Sequence, residues 1–154
     1  MKITEIVAKN FKTFKDLSIS INNFNIIIGS NASGKSNLID IIKFYRDCEN
    51  WGLDSAISLQ GGKENLLNYN LEKGTPVYLY IKLENHSYPQ RKLAGRKDED
   101  FVFSLKSVEI TTEILFNKTG NKYKILQDDI KYTYDLYKAT IKGRSIKKLQ
   151  EKLK

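Results

Sequence analysis

Hydrophobic and polar positions change period along this chain, and the changes mark out its elements. Residues 2 to 8, KITEIVA, set Ile3 and Val7 among polar neighbours and predict an opening strand, followed by the turn-like KNFKTFKD. In LSISINN, Leu17, Ile19 and Ile21 alternate with polar residues, the period of a half-buried strand. After Asn22-Asn23 the run FNIIIG is continuously apolar, which predicts a strand covered on both faces, as in a parallel sheet. SNLIDIIKFYRDCEN then places Leu38, Ile41, Ile42 and Tyr45 on one side with Asp40, Lys43, Arg46 and Asp47 elsewhere, predicting a helix over 36–50. Asp54 is a candidate cap for a short helix, and Gly61-Gly62 punctuate before Lys63 to Asn68.

From residue 76 the character shifts again. VYLYIKLEN, DFVFSLKSVEITTEILFN and KYKILQDDIKYTYDLYKATI are β-branched, aromatic and alternating, and polar turn clusters separate them, so they read as antiparallel strands. SIKKLQEKLK spaces Ile146, Leu149 and Leu153 in a helical stripe. The expected division is therefore a body over 1–137, with a β-rich part at 76–137, and a basic helical tail over 138–154 that reads as the start of a longer helical element.

Charge sharpens this division. The net charge is +8, but residues 138 to 154 hold seven Lys and Arg against Glu151 alone. The body is nearly neutral, so a broad phosphate-binding face is not indicated; the tail reads as a solvated face or a nucleic-acid arm. No apolar run reaches the ~20 residues of a membrane span, and Glu5 interrupts the start where a signal peptide would be apolar. The expectation is a cytoplasmic protein with no membrane partner. Cys48 is the only cysteine, which excludes a disulfide framework and a cysteine-based metal site.

The chemistry lies between the apolar run and the helix. Gly29, Ser30, Asn31, Ala32, Ser33, Gly34, Lys35 and Ser36 match G-x-x-x-x-G-K-[ST], in the strand-loop-helix context that motif requires. A polyphosphate needs many donors at close range, and Gly29 and Gly34 let the backbone curl so that successive N–H groups converge. The opening helix adds its own N–H groups and positive dipole end. Lys35 supplies a mobile cation for the β and γ phosphates, and the Ser36 hydroxyl is a hard oxygen ligand for Mg²⁺. The expected ligands are ATP and Mg²⁺.

Around that motif, KNFKTFKDLSISINNFNIIIGSNASGKSNLIDIIKF resembles the N-terminal segment of ABC-type ATPases of the AAA group related to the structural-maintenance-of-chromosomes, RecF and overcoming-lysogenization-defect proteins. The resemblance rests on the turn Asn10 to Phe14 and on the loop Gly29 to Asn37, and GLDSAISLQGGKENLL is similar to a glycine-pair segment of the same group. It is specific over residues 1 to about 70 and architectural beyond. Ala32 stands where that family usually has glycine, which stiffens the loop.

The resemblance implies an α/β P-loop NTPase fold, an ABC-ATPase-like N-terminal lobe with an antiparallel β-subdomain. It implies that Lys12 reaches the nucleotide phosphates and that Asn31 helps shape the loop; on residue type alone Lys12 reads equally well as a solvated surface lysine. It also implies a C-terminal lobe of the same protein, ATP sandwiched between two protomers, and DNA or an effector protein as partner, in DNA metabolism or phage defence. Phe11 and Phe14 read as packing residues rather than adenine platforms.

The groups needed for hydrolysis are not recognisable. KYKILQDDI offers Asp128 and Asp129, but Lys124 and Gln127 interrupt the apolar run, so they read as turn or strand carboxylates. His86, the sole histidine, lies in NHSYP and reads as a surface residue, and Gln60 reads as part of a turn. The expected activity is that of an ATPase whose catalytic lysine is Lys35, with turnover not supplied by this chain alone. Two alternatives remain: a small-molecule P-loop kinase with Arg91, Lys92, Arg96 and Lys97 as lid cations, and a module that binds nucleotide without turnover. A GTPase is disfavoured, because FNKTG puts Gly120 where the guanine-reading motif needs Asp.

Overall fold

A computed structural model describes residues 1–31, 33–72, 74–85, 90–94, 99–118, 122–140 and 145–149. Strand β1 (Lys2–Phe11) turns at Lys12-Thr13 into β2 (Phe14–Ser20). Three helices follow after residues 21–34: α1 (Lys35–Trp51), α2 (Leu53–Leu59) and α3 (Lys63–Leu66). The rest of the described chain is β3 (Val77–Glu84), β4 (Gln90–Ala94), β5 (Glu99–Phe116), β6 (Tyr123–Thr140) and β7 (Ser145–Leu149).

These strands form one antiparallel sheet in the order β2-β1-β3-β5-β6-β7, with β4 also paired to β5. Both β3 and β4 lie along the same long strand, Val77 opposite Ile114 and Gln90 opposite Ser104. Because β1 pairs with β3, Ile6 opposite Ile81, the N-terminal hairpin and the β-rich part are one continuous sheet rather than separate layers.

Alternation along β1, β3 and the C-terminal part of β5 gives the sheet a dry face. Ile6 and Ala8, Val77, Leu79 and Ile81, and Ile114 and Phe116 meet Leu38, Ile41 and Phe44 of α1, Ala56 and Ile57 of α2 and Leu66 of α3 in one core. Each fully buried aliphatic or aromatic side chain there stabilises the fold by about 1.5–3 kcal/mol. Phe44 meets Phe11 edge-on at 6.3 Å, and the Tyr45 hydroxyl donates to the Leu79 carbonyl at 2.9 Å, tying α1 to β3. The opposite face is wet and charged, with Lys131 paired to Glu109 and Lys82 to Glu84. Gly52, at φ 80°, ends α1 and lets α2 begin at once; Gly52, not Asp54, is the residue preceding α2, and Asp54 sits in its first turn.

Two sequence expectations fail. Residues 21–30 form no strand, and Phe24, Ile26, Ile27 and Ile28 are exposed, Ile28 by 90%. An apolar run becomes a strand only when neighbours complete its ladder, and no described strand pairs with this one. The basic tail is not helical where it is described: β6 runs on to Thr140, and Ser145–Leu149 pairs with it, Leu149 opposite Leu136. A five-residue stretch carries too little helix propensity to resist an open sheet edge that offers a full set of backbone partners. Residues 150–154 lie outside the described chain.

Candidate nucleotide site

The loop of residues 29–34 leads into the N-terminus of α1, and the turn of the first hairpin sits against it. Gly34 adopts φ 94°, and a Cβ there would come within 2.5 Å of the Thr13 hydroxyl and 3.1 Å of the Phe14 ring. A Cβ on Gly29 would meet the Ser33 hydroxyl at 2.6 Å. Gly34 is thus required by its backbone and its close neighbours, whereas at Gly29 the Ser33 side chain would have to turn aside. The Asn37 amide donates to the Thr13 hydroxyl at 2.8 Å, locking the hairpin turn to the first turn of α1.

A cavity of about 380 Å³ is lined by Thr13, Asn31, Ser33, Gly34, Lys35, Ser36 and Asn37. Lys35 curls back over the loop, its ammonium donating to the carbonyls of Gly29 (2.8 Å) and Ser30 (2.5 Å) and to the Ser33 hydroxyl (3.3 Å). These are weak neutral acceptors for a cation, and an anion in the loop can replace them. Ser36 is exposed at the cavity wall. A glycine-edged cradle, a helix N-terminus, a mobile ammonium and a hydroxyl are the donor set that a polyphosphate and its Mg²⁺ require, so the residues fit both groups. Ala32 lies outside the described residues.

A second cavity, about 400 Å³, shares Thr13 and Asn37 with the first and is completed by Lys12, Asn65, Asn68, Tyr69 and Asn70. Its walls are fastened together. The Lys12 N–H donates to the Leu66 carbonyl at 2.8 Å, and the buried Asn10 side chain accepts from the Asn68 N–H at 3.1 Å while donating to the Thr75 carbonyl at 2.6 Å. Asn10 and Lys12 both have positive φ, 54° and 50°, a conformation that Asn tolerates better than Lys.

Lys12 does not point its charge at the loop. Its ammonium donates to the Asp40 carboxylate at 2.6 Å, with both side chains mostly sheltered, and Lys43 takes the other oxygen of the same carboxylate at 3.1 Å. Burial pushes the Asp40 carboxyl up, but the two lysines outweigh it and hold it below its ordinary range. The same Lys12 also borders a third cavity, of about 650 Å³, with Asp40, Lys43, Arg46, Asp47, Trp51, Leu59 and Gln60.

The other sequence candidates fall elsewhere. Phe11 is fully buried against Phe44, as a packing residue is. Asp128 and Asp129 lie mid-strand in β6, accepting from Thr112 and Gln127 respectively. Gln60 lies in the turn after α2. Arg91 and Lys92 belong to strand β4, not to a lid loop. His86, Arg96, Lys97 and Gly120 lie outside the described residues. Among the described residues, no three His, Cys, Asp or Glu side chains converge to hold a metal ion, and no helix is long and apolar enough to cross a membrane. Thr13, Asp40, Asn65, Asn68, Tyr69 and Asn70 join these cavities only in the fold, because isolated polar residues in turns and on a helix's polar side carry no periodic signal.

Over 68 residues the chain is 47% identical to the chromosome partition protein Smc of Methanococcus voltae, a match spanning 44% of this chain and 5% of that one. It is 42% identical over 121 residues to the DNA replication and repair protein RecF of Lactococcus lactis subsp. cremoris, covering 75% of this chain and 34% of RecF. Endonuclease GajA of Bacillus cereus is 30% identical over 101 residues, 65% of this chain and 15% of GajA. The chain thus spans about a third or less of the length of these relatives. The model of the AAA ATPase domain matches residues 1–154, and the chain belongs to that ATPase family, related to Smc, RecF and GajA.

Proposed function

We propose that this chain is the ATP-binding lobe of an ABC-type ATPase that couples Mg-ATP binding and hydrolysis to a conformational cycle, in DNA metabolism or phage defence. The observation that carries the reading is the cavity at the start of α1, where Gly29, Gly34, Lys35 and Ser36 converge. The phosphates lie in the loop of residues 29–37, Lys35 turns from the Gly29 and Ser30 carbonyls to the β and γ phosphates, and Ser36 holds Mg²⁺. The adjoining cavity behind Thr13 and Asn37 leaves room for the nucleoside. Asn31, Ala32, Ser33 and Asn37 complete the loop, and Lys12 is a further cation within the same neighbourhood.

The chain binds ATP without turning it over, and hydrolysis needs a C-terminal lobe of the same protein and a second protomer closing on the nucleotide. Two observations favour this. The relatives are several times longer than the matched stretch, and Ile26, Ile27 and Ile28 are exposed although their pattern suits a strand buried on both faces. The names of the relatives favour DNA as the effector target and, with it, action in the cytoplasm. The small-molecule kinase is the weaker reading, since Arg91 and Lys92 are taken up by strand β4.

Calorimetric titration with Mg-ATP tests the proposal. The wild-type chain binds, and Lys35→Ala weakens binding by about a hundredfold or more, the scale of a lost charge-assisted contact set. Equal affinity in the two proteins overturns it.

A further inference from the structure

Lys12 occupies an unusual place. It sits at φ 50° in the hairpin turn, its backbone N–H is fixed by the Leu66 carbonyl, and the next residue, Thr13, touches both Gly34 and Asn37 of the loop. Its flexible side chain therefore starts from an anchored root between two cavities, one shared with the loop and one running along α1. The ammonium lies on the α1 side, 2.6 Å from Asp40, while Lys12 also lines the cavity whose Thr13 and Asn37 border the loop.

From this geometry we infer that Asp40 is a positioning residue that parks Lys12 away from the phosphate loop, and that Lys43 replaces Lys12 on Asp40 when nucleotide phosphate draws Lys12 across. The inference rests on the reading of the loop as an ATP site and deepens it. Removing one partner of a sheltered ion pair is costly when it leaves the other charge unpaired. Asp40 avoids that cost because Lys43, three residues along α1, already holds its other oxygen at 3.1 Å. The exchange thus trades one lysine–carboxylate contact for a lysine–phosphate contact while the carboxylate keeps a partner. The cavity along α1 also holds Arg46 and Asp47, but these pair with each other at 2.7 Å, and the Phe11 ring, 5.8 Å from the ammonium, offers a face rather than a charge. In the empty site the Asp40 contact opposes binding, so Asp40 sets the ATP concentration at which the lobe fills.

The test is Mg-ATP titration of the full chain, at low and high salt, for wild type, Lys12→Ala, Asp40→Asn, the double variant and Lys43→Ala. Asp40→Asn frees Lys12 and tightens binding by about three- to fivefold, the range of a partly exposed ion pair, and the gain shrinks with salt. Lys12→Ala weakens binding, and adding Asp40→Asn to it changes nothing further. Lys43→Ala has the opposite sign to Asp40→Asn, because Asp40 then grips Lys12 harder. A merely structural ion pair predicts the reverse, weaker binding in Asp40→Asn, and that result, no change, or a gain that survives in the Lys12→Ala background overturns the inference. Should Asp40→Asn fail to fold by circular dichroism, Lys43→Ala decides alone, and unchanged or tighter binding there overturns it. If wild type binds no Mg-ATP and Lys35→Ala is indistinguishable from it, the nucleotide reading falls and the inference with it; if Lys35→Ala abolishes binding while the Asp40 and Lys43 variants match wild type, only the inference falls.

Discussion

The sheet with its three helices and the segment from Phe24 to Ser30 both carry runs of apolar residues, yet they end in opposite environments. Phe11, Ile41, Phe44 and Leu79 are fully buried, whereas Phe24, Ile26, Ile27 and Ile28 face solvent at more than half of their area. The difference is not hydrophobicity but the supply of partners. Strands β1, β3 and β5 find antiparallel neighbours among the described residues and a helical layer to cover their apolar face. The segment before the phosphate loop has neither, although its pattern is that of a strand needing a neighbour on each side and cover on both faces. Among the described residues, one region is thus closed by its partners and the other is left open.

Three substitutions press on that contrast. Phe44→Ala strikes the closed half, opening a void between α1 and β1, and denaturant unfolding should show a loss of about 3–5 kcal/mol. A loss under 1 kcal/mol means the helical layer does not depend on this contact and the closed half is looser than its burial suggests. Gly34→Ala acts at the seam between the halves: a Cβ at φ 94° meets Thr13 and Phe14, so stability should fall by about 1–3 kcal/mol and Mg-ATP affinity with it. Retention of both values places the loop in a conformation that does not need glycine. Ile28→Ser strikes the open half, and thermal melting of this chain should move by no more than the equivalent of about 0.5 kcal/mol, since the side chain is 90% exposed. A large loss would show that the segment is already packed and the contrast unfounded.

Much of the closed half could be read from residue order. The period-2 runs of VYLYIKLEN and of the two long strands found their places, and the helix expected at 36–50 forms as Lys35–Trp51 with Leu38, Ile41 and Phe44 inward. Local sequence suffices there because alternation or helical spacing selects one face, and a face that finds cover is stable. In the tail, Ile146 and Leu149 fit a helical stripe and a short strand alike, and the free edge of β6 chooses between them. The apolar run at 24–28 departs from its pattern for the converse reason: its composition states what it needs, and pairing is a property of neighbours.

The loop shows the same division at the level of chemistry. Sequence alone determined that Gly29, Gly34, Lys35 and Ser36 stand at the spacing a phosphate cradle demands, because that motif is local and its backbone curl is encoded in consecutive residues. Only the tertiary structure brought the hairpin turn against it, with Thr13 touching Gly34, Asn37 bonded to Thr13, and Lys12 joined to Asp40 across a separation of 28 residues. No periodicity announces such a pair, since a lysine in a turn and an aspartate on a helix's polar side each look solvated until folding shelters both, and shelter is what turns a weak surface attraction into a contact able to hold a cation in place.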